Sequence, residues 1–455
     1  MIVKLIGLCV EGLHGCYNYN VKFNPDVTFL YGLNGCGKTT ILNITEAIIT
    51  GQLFKLFNYK FKQIILYYAK SSNIEDIKSI KITSRRSGLS VEFGDKKYTL
   101  EVPNSSEELQ FSDRNSKEIV LRYFNRYEFL AEIKNLFNYV YLPLNRSNVS
   151  YDDSDEYYMM RRYRNRISLE TEAHFGPSTR DIAMIQIESL IAANYSKISS
   201  TITHYNDEFR NSILKSLLEI NSTYDVTDIL KEISSQRNFI SNLTQTKNAY
   251  LNMLKELELL TSSEEEKYNN FFAEFITEFA LFQKDSLKAP WEFVMKFQEI
   301  SKIRKLLEIA KKMEQRKAIA RKPIETFLST MNEFIQTGED GKSMEIDSMG
   351  RVFFKTKYSN KPISIQYLSS GEKQLVTFFA NLIFNVKSNS SGIFVVDEPE
   401  LSLHLSWQKI FVEKTLEINK NIQLVFATHA PEIIGKRRDK MFKLEKEYTG
   451  VANNG

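Results

Sequence analysis

Gly32-Leu33-Asn34-Gly35-Cys36-Gly37-Lys38-Thr39 follows the apolar run Val27-Thr28-Phe29-Leu30-Tyr31 and opens a segment of helical pattern, Thr39 to Ile49. Strand, glycine-rich loop and helix in that order allow few folds. The octapeptide fits G-x-x-x-x-G-K-[ST], in which glycines let backbone N–H groups approach phosphate oxygens closely. The following helix turns its positive end to the same anion. Lys38 neutralises charge on the β- and γ-phosphates, and the Thr39 hydroxyl is suited to Mg²⁺. Asn34, Gly35, Gly37, Lys38, Thr39 and Thr40 form the predicted nucleotide-binding set.

Near the other end, Ile393-Phe394-Val395-Val396 is the apolar run of a strand buried on both faces, as in a parallel sheet. Asp397 stands at its carboxyl end, where α/β sheets place ligands, and can hold the Mg²⁺ shell through water. Glu398 is placed to orient and deprotonate an attacking water. Upstream, Leu368-Ser369-Ser370-Gly371-Glu372-Lys373-Gln374 opens a helix. Ser369, Ser370 and Gly371 offer donors and a dipole end to an anion. In isolation that string is also an ordinary capped helix start. The Lys38 loop lies across the fold from it, so the anion it suits is a γ-phosphate held by a second subunit.

Together these motifs resemble the ABC-type ATPase heads of the SMC and OLD-family group. The resemblance extends to Asp397-Glu398-Pro399-Glu400-Leu401-Ser402-Leu403-His404, similar to the family's Walker B and D-loop. It also covers Thr428-His429-Ala430-Pro431-Glu432, which follows the run Gln423–Ala427 and is similar to its switch histidine. It implies an α/β P-loop head built from N- and C-terminal lobes, ATP and Mg²⁺ as ligands, and a head-to-head dimer or higher oligomer. Lys38, Glu398 and His429 are then the catalytic residues, His429 contacting the γ-phosphate, with Thr39 and Asp397 on the metal. One departure is the expected Q-loop. Its place is taken by Tyr141-Leu142-Pro143-Leu144-Asn145-Arg146, which has no Gln and resembles the Pro-x-x-Arg segment of defence-associated ATPases.

Between the motif-bearing ends the pattern changes. Met184, Ile187, Ile191, Tyr195 and Ile198 fall at helical spacing, as do Phe209, Ile213, Leu217 and Ile220. Pro290 suits a first helical turn and Pro323 a stop or kink. The expected division is 1–175 for the N-terminal lobe, 176–335 for a helical insertion without long heptads, and 336–455 for the C-terminal lobe. Ser343–Asp347 and Arg351–Tyr358 read as a hairpin, and Gly94-Asp95 as the turn of another. The 455 residues carry a net charge of only +4, so a nucleic-acid partner must be argued from local patches. Cys9, Cys16 and Cys36 match no metal pattern and read as reduced thiols. No apolar stretch is long enough to span a membrane, and the expected location is cytoplasmic.

Arg161, Arg162, Arg164 and Arg166 are interleaved with Tyr157, Tyr158 and Tyr163, a combination suited to DNA or RNA backbone and bases. The acidic run Asp152, Asp153, Asp155 and Glu156 just before it leaves a protein interface or a solvated loop equally open. Lys302 to Lys322 is basic around several helix faces, as a solvated exterior is. His404 is open between interface and packing; His14, His174 and His204 default to packing or surface.

The short stretch after His429 holds no TOPRIM nuclease, and no HNH pattern is visible, so cleavage is expected from a partner. Size, short insertion and tail resemble the ATPase subunits of Septu anti-phage systems (the PtuA group), which work with a PtuB-like HNH nuclease; related ATPases accompany retrons. That resemblance implies an ATPase controlling a nuclease. An SMC-like repair head and a nucleotide sensor with little turnover are the alternatives.

Overall fold

Three apolar pentapeptides from opposite ends of the chain lie side by side in the computed structural model: Val27–Tyr31 (β3), Gln423–Ala427 (β13) and Ile393–Asp397 (β12). Flanked by Met441–Lys443 (β14) and Tyr139–Tyr141 (β8), they make a five-stranded parallel sheet in the order β14-β3-β13-β12-β8. The structure describes residues 3–70, 76–86, 88–101, 126–137, 139–141, 179–218, 239–256, 260–284, 291–336, 341–385, 392–401 and 403–448.

Alternation along these strands explains why they read as continuous apolar runs. Leu30, Val425, Ala427, Ile393 and Val395 enter one core. Val27, Phe29, Leu424, Phe426, Phe394 and Val396 enter a second core. A parallel sheet covered on both faces leaves no polar side to its central strands. The first core is completed by helix α1 (Lys38–Ile49) and by a seven-stranded antiparallel sheet. That sheet contains Val3–Leu13 (β1), Tyr17–Lys22 (β2), Gln63–Lys70 (β4), Ile77–Arg85 (β5), Gly88–Phe93 (β6), Lys96–Glu101 (β7) and Glu447–Tyr448 (β15), in the order β15-β2-β1-β4-β5-β6-β7. Gly94 and Asp95 join β6 to β7, with Phe93 opposite Lys96 and Gly94 at φ 61°. Such two-residue hairpin turns require positive φ. Glu128–Leu136 (α2) adds Phe129, Leu130 and Ile133 to this core.

The second core receives Met184, Ile187 and Ile191 from Thr179–Leu218 (α3). It also receives Phe327, Met331, Phe334 and Ile335 from a 45-residue helix, Trp291–Ile335. A three-stranded sheet of Ser343–Ile346 (β9), Val352–Thr356 (β10) and Ser359–Ser364 (β11) contributes Met344, Val352 and Phe354. The expected hairpin is present as β9 and β10, but β10 ends at Thr356 and a third strand follows. Pro362 falls in that third strand, which is an edge of its sheet, where a missing N–H costs no ladder bond. Helices Ser370–Ala380 and Leu405–Ile418 supply Leu375, Phe378, Phe379, Phe411 and Val412.

Two compact units result, one of residues 1–195 and 323–455, the other of residues 196–322. The second unit has its own core, which includes Leu243 from Phe239–Glu256 (α4), Phe272, Phe275 and Phe279 from Ser262–Lys284 (α5), and Phe293, Phe297 and Ile300 from Trp291–Ile335 (α6). The basic run at its end is partly paired: Arg316 meets Glu208 at 2.7 Å and covers the Tyr205 ring, and Lys317 meets Glu314. Pro323 does not stop α6, contrary to the stop reading. Its ring has no N–H for the Ile319 carbonyl, so the helix continues with one bond missing from its ladder. His204 sits on the surface beside Glu208. Arg146, His174 and the Tyr157–Arg166 cluster lie outside the described residues.

Candidate functional site

Because β13 pairs with β3 on one side and β12 on the other, three loops leave the carboxyl edge of the parallel sheet next to one another. They carry Gly32–Thr39, Asp397-Glu398 and Thr428-His429. Sequence order would have put the last of these far from the first; sheet order puts it between the other two.

The glycine loop is held open. Gly35 and Gly37 have φ of 77° and 101°, a region costly for any side chain. A Cβ on Gly37 would stand 2.6 Å from the Tyr19 hydroxyl. That hydroxyl donates to the Cys36 carbonyl at 3.0 Å, so β2 braces the loop from behind. Asn34, Gly35 and Thr39 are exposed, Thr40 is half-buried, and Lys38 is buried at the start of α1. Lys38 Nζ donates to the Gly32 carbonyl at 3.1 Å and reaches the Leu33 carbonyl at 3.5 Å. A phosphate entering the loop offers it charged acceptors in place of neutral ones, a stronger class of hydrogen bond.

Asp397 ends β12 against this loop. Burial raises its carboxyl above the ordinary carboxylate range, helped by the charges of Glu398 and Glu400, while a hydrogen bond from Thr39 and the nearby Lys38 pull the other way. One oxygen, Oδ1, is buried without a hydrogen-bond partner. A buried, orphaned carboxylate oxygen beside a threonine hydroxyl is a hard-oxygen donor set, and it fits Mg²⁺. Among the described residues no cluster of three His, Cys, Asp or Glu forms a self-sufficient metal cage. Thr39 and Asp397 supply only part of an octahedral shell, and Mg²⁺ ordinarily keeps water and substrate phosphate in the rest.

Glu398 adopts φ 48°, one of two non-glycine residues at positive φ among those described, and its N–H donates to the Ala427 carbonyl at 2.8 Å. Strained backbone at a carboxylate beside a phosphate loop is a mark of functional sites. The turn so formed brings Glu400 against the switch loop: its Oε2 accepts from the Thr428 hydroxyl at 2.8 Å and its Oε1 from the His429 N–H at 2.7 Å. His429 is exposed and Thr428 fully buried.

The helix Ser370–Ala380 (α7) begins with a complete capping box. Ser369 Oγ accepts from the Glu372 N–H, and Glu372 Oε2 accepts from the Ser369 N–H at 2.8 Å. Lys342 closes on Glu372 at 3.1 Å. Burial opposes ionisation of Glu372, but the two Ser369 bonds and Lys342 outweigh it and hold the carboxyl below its usual range. Ser369 and Ser370 are exposed and Gly371 is buried. One link ties α7 to the other motifs: Gln374 Nε2 reaches the Pro399 carbonyl at 3.5 Å. His404 caps the helix Leu405–Ile418 (α8), accepting from the Ser406 N–H through Nδ1. Sequence reasoning passed over Tyr19, Gln374 and the contacts of Glu400; a hydroxyl brace and a carboxylate acting 28 and 29 residues away leave no local pattern.

A stretch of 84 residues is 32% identical to the retron Ec83 probable ATPase of Escherichia coli, covering 16% of each chain. Another of 94 residues is 33% identical to the retron Vc95 probable ATPase of Vibrio cholerae, covering 19% of this chain and 18% of that one. The match thus spans less than a fifth of either relative. Among solved structures, the Smc head domain of Pyrococcus furiosus with an extended coiled coil, bound to the C-terminal domain of ScpA, overlays at TM-score 0.39 and 12% identity. That overlay covers 98% of this chain and 96% of the other. The Smc head of Pyrococcus yayanosii overlays at 0.37 and 11%, covering 99% and 98%. The AAA ATPase domain family AAA_15 matches residues 8–434, nearly the whole of the described fold, and the chain belongs to that family.

Proposed function

We propose that this protein binds and hydrolyses ATP as the ATPase subunit of an anti-phage defence complex, and that it controls a partner HNH nuclease of the PtuB-like kind. The observation that carries the catalytic part is the adjacency of β3, β13 and β12, which gathers the glycine loop, Asp397-Glu398 and His429 at one sheet edge. Asn34, Gly35, Gly37, Lys38, Thr39 and Thr40 hold the triphosphate, with Lys38 leaving the Gly32 carbonyl for phosphate oxygens. Thr39 and Asp397 hold Mg²⁺, which when bound neutralises phosphate charge. Glu398 orients and deprotonates the attacking water, and His429 contacts the γ-phosphate. Residues 1–175 and 336–455 act as the lobes of the head and 176–335 as its helical insertion.

Ser369, Ser370 and Gly371 complete the site of a second copy. Head-to-head pairing is supported by apolar side chains exposed beside the motifs themselves: Leu33 at 85%, Leu401 at 67% and Tyr367 at 82%. Singly such residues are ordinary; flanking three motifs, they fit a face covered by another head. The defence role is supported by the names of the two retron relatives and by the resemblance to Septu ATPases.

Phosphate release by wild type, Lys38→Ala and Glu398→Gln tests the enzyme. Turnover is expected in wild type alone, with nucleotide affinity lost in Lys38→Ala and kept in Glu398→Gln. Equal release by wild type and Glu398→Gln would overturn the hydrolytic assignment. Ser370→Arg is expected to bind ATP as a monomer yet fail to turn over; normal turnover removes the trans role of α7. Co-purification from a native-like operon tests the partner, and recovery of chromosomal-repair proteins in place of a small HNH protein rejects it.

A further inference from the structure

We propose that Glu400 is a positioning residue for His429, the strut through which the turn after Asp397-Glu398 fixes the switch loop. The inference rests on the reading of His429 as a γ-phosphate contact and adds the group that holds it in place.

Both Glu400 carboxylate oxygens are spent on consecutive groups of one loop, the Thr428 hydroxyl at 2.8 Å and the His429 N–H at 2.7 Å. The direction of the first bond is fixed. A carboxylate can only accept, so the Thr428 hydroxyl donates to Glu400 Oε2, while its oxygen also accepts from the Ala430 N–H at 3.0 Å and keeps a second lone pair. The backbone that carries Glu400 is itself tied down: Gln408 Nε2 reaches the Glu400 carbonyl at 3.4 Å and the Leu403 carbonyl at 2.9 Å. Gln374, one turn into α7, reaches the Pro399 carbonyl. The turn therefore has α7 and α8 on one side and the switch loop on the other.

A simple loop staple and a positioning strut make the same bonds but differ in what their loss changes. A staple supports the fold and so nucleotide binding; a strut acts only through His429. Misplacing a catalytic contact by about 1 Å costs on the order of 100-fold in rate.

The test measures phosphate release and equilibrium binding of a fluorescent ATP analogue for Glu400→Ala, Glu400→Gln, His429→Ala and the double Glu400→Ala/His429→Ala. Glu400→Ala is expected to lose about 100-fold in kcat with binding changed less than about twofold. Glu400→Gln is expected to recover most of the rate, since its amide oxygen accepts from His429 N–H and its amide nitrogen can donate to Thr428 Oγ1. In the His429→Ala background the Glu400 substitution is expected to cost less than about threefold, because the group it positions is gone. Equal losses in both backgrounds, a Gln variant as impaired as the Ala variant, wild-type kcat in Glu400→Ala, or loss of nucleotide affinity with it each overturn the strut. Wild-type turnover in His429→Ala removes the underlying reading of the histidine instead. A readout independent of turnover is imidazole NMR, with five histidines in the chain. The His429 resonance is expected to move on adding Mg-ATP in wild type and Glu400→Gln; the same movement in Glu400→Ala overturns the proposal.

Discussion

Glu398 holds a left-handed backbone, φ 48°, at the position where the attacking water is expected to be activated. An L-residue pays about 1–2 kcal/mol there, and glycine pays none of it. Glycine in turn loses about 0.5–1 kcal/mol more unfolded-state entropy than alanine on folding. Both Glu398→Gly and Glu398→Ala remove the carboxylate, and both keep the N–H that bonds the Ala427 carbonyl. Their difference therefore isolates the backbone: the glycine variant should be the more stable by about 0.5–1 kcal/mol. Urea titration of the nucleotide-free proteins, followed by tryptophan fluorescence, measures this as a higher midpoint at unchanged slope. Glu398→Gln keeps the strain and should unfold near the wild-type midpoint, although it too is expected to lack turnover. An alanine variant as stable as the glycine variant refutes the claim that strain is stored under this carboxylate. A positive result shows stability given up at the residue to which water activation is assigned.

Gly37→Ala, at φ 101° with the Tyr19 hydroxyl 2.6 Å from the new Cβ, is expected to cost about 2–3 kcal/mol in the same titration. Tyr19→Phe alone forfeits the bond to the Cys36 carbonyl, about 1 kcal/mol, and the double variant should fall short of the sum because the hydroxyl is gone. Glu372 is depressed in the folded state, so its contribution is fully present above the ordinary glutamate value of 4.5 and fades as pH falls through its folded value. Stability curves of wild type and Glu372→Gln should differ above pH 4.5 and converge below it. Asp397 is shifted the other way, first by burial, so its charge is a cost to the nucleotide-free fold at neutral pH. Asp397→Asn should raise the melting temperature of the nucleotide-free protein by about 1–3 °C while abolishing the further rise that Mg-ATP gives the wild type.

The phosphate loop, the Asp-Glu strand and the switch strand were legible because each is a local pattern: glycines where φ must be positive, and apolar runs where both faces of a sheet are covered. The capping box of Ser369 and Glu372 was legible for the same reason, since both partners lie within four residues. What the pattern could not show was which bonds close between segments. Pro323 is a helix breaker in sequence, yet α6 runs through it, held at both ends by packed apolar faces. Strand β11, with Pro362 and no alternation, forms only because β10 offers it an edge.

The strand order carries the last step. Of the three loops at this sheet edge, the one carrying Thr428-His429 lies between the other two only because β13, which arrives late in the chain, inserts between β3 and β12. The site thus needs both ends of the chain: β3 reaches β12 only through β13, across more than three hundred residues of intervening chain. Closing so long a loop adds little entropic cost beyond closing a shorter one, since the cost grows only with the logarithm of length. The long stretch of chain between β3 and β12 is therefore thermodynamically tolerated, and burial offsets its cost where Met184, Ile187 and Ile191 share a core with Phe327, Met331 and Phe334. That core is continuous with Phe378 and Phe411, on the helices that reach Pro399 and Glu400 through Gln374 and Gln408. The same packed layer therefore holds Met184, Ile187 and Ile191, Phe327, Met331 and Phe334, and the two helices that reach the Pro399–Glu400 turn.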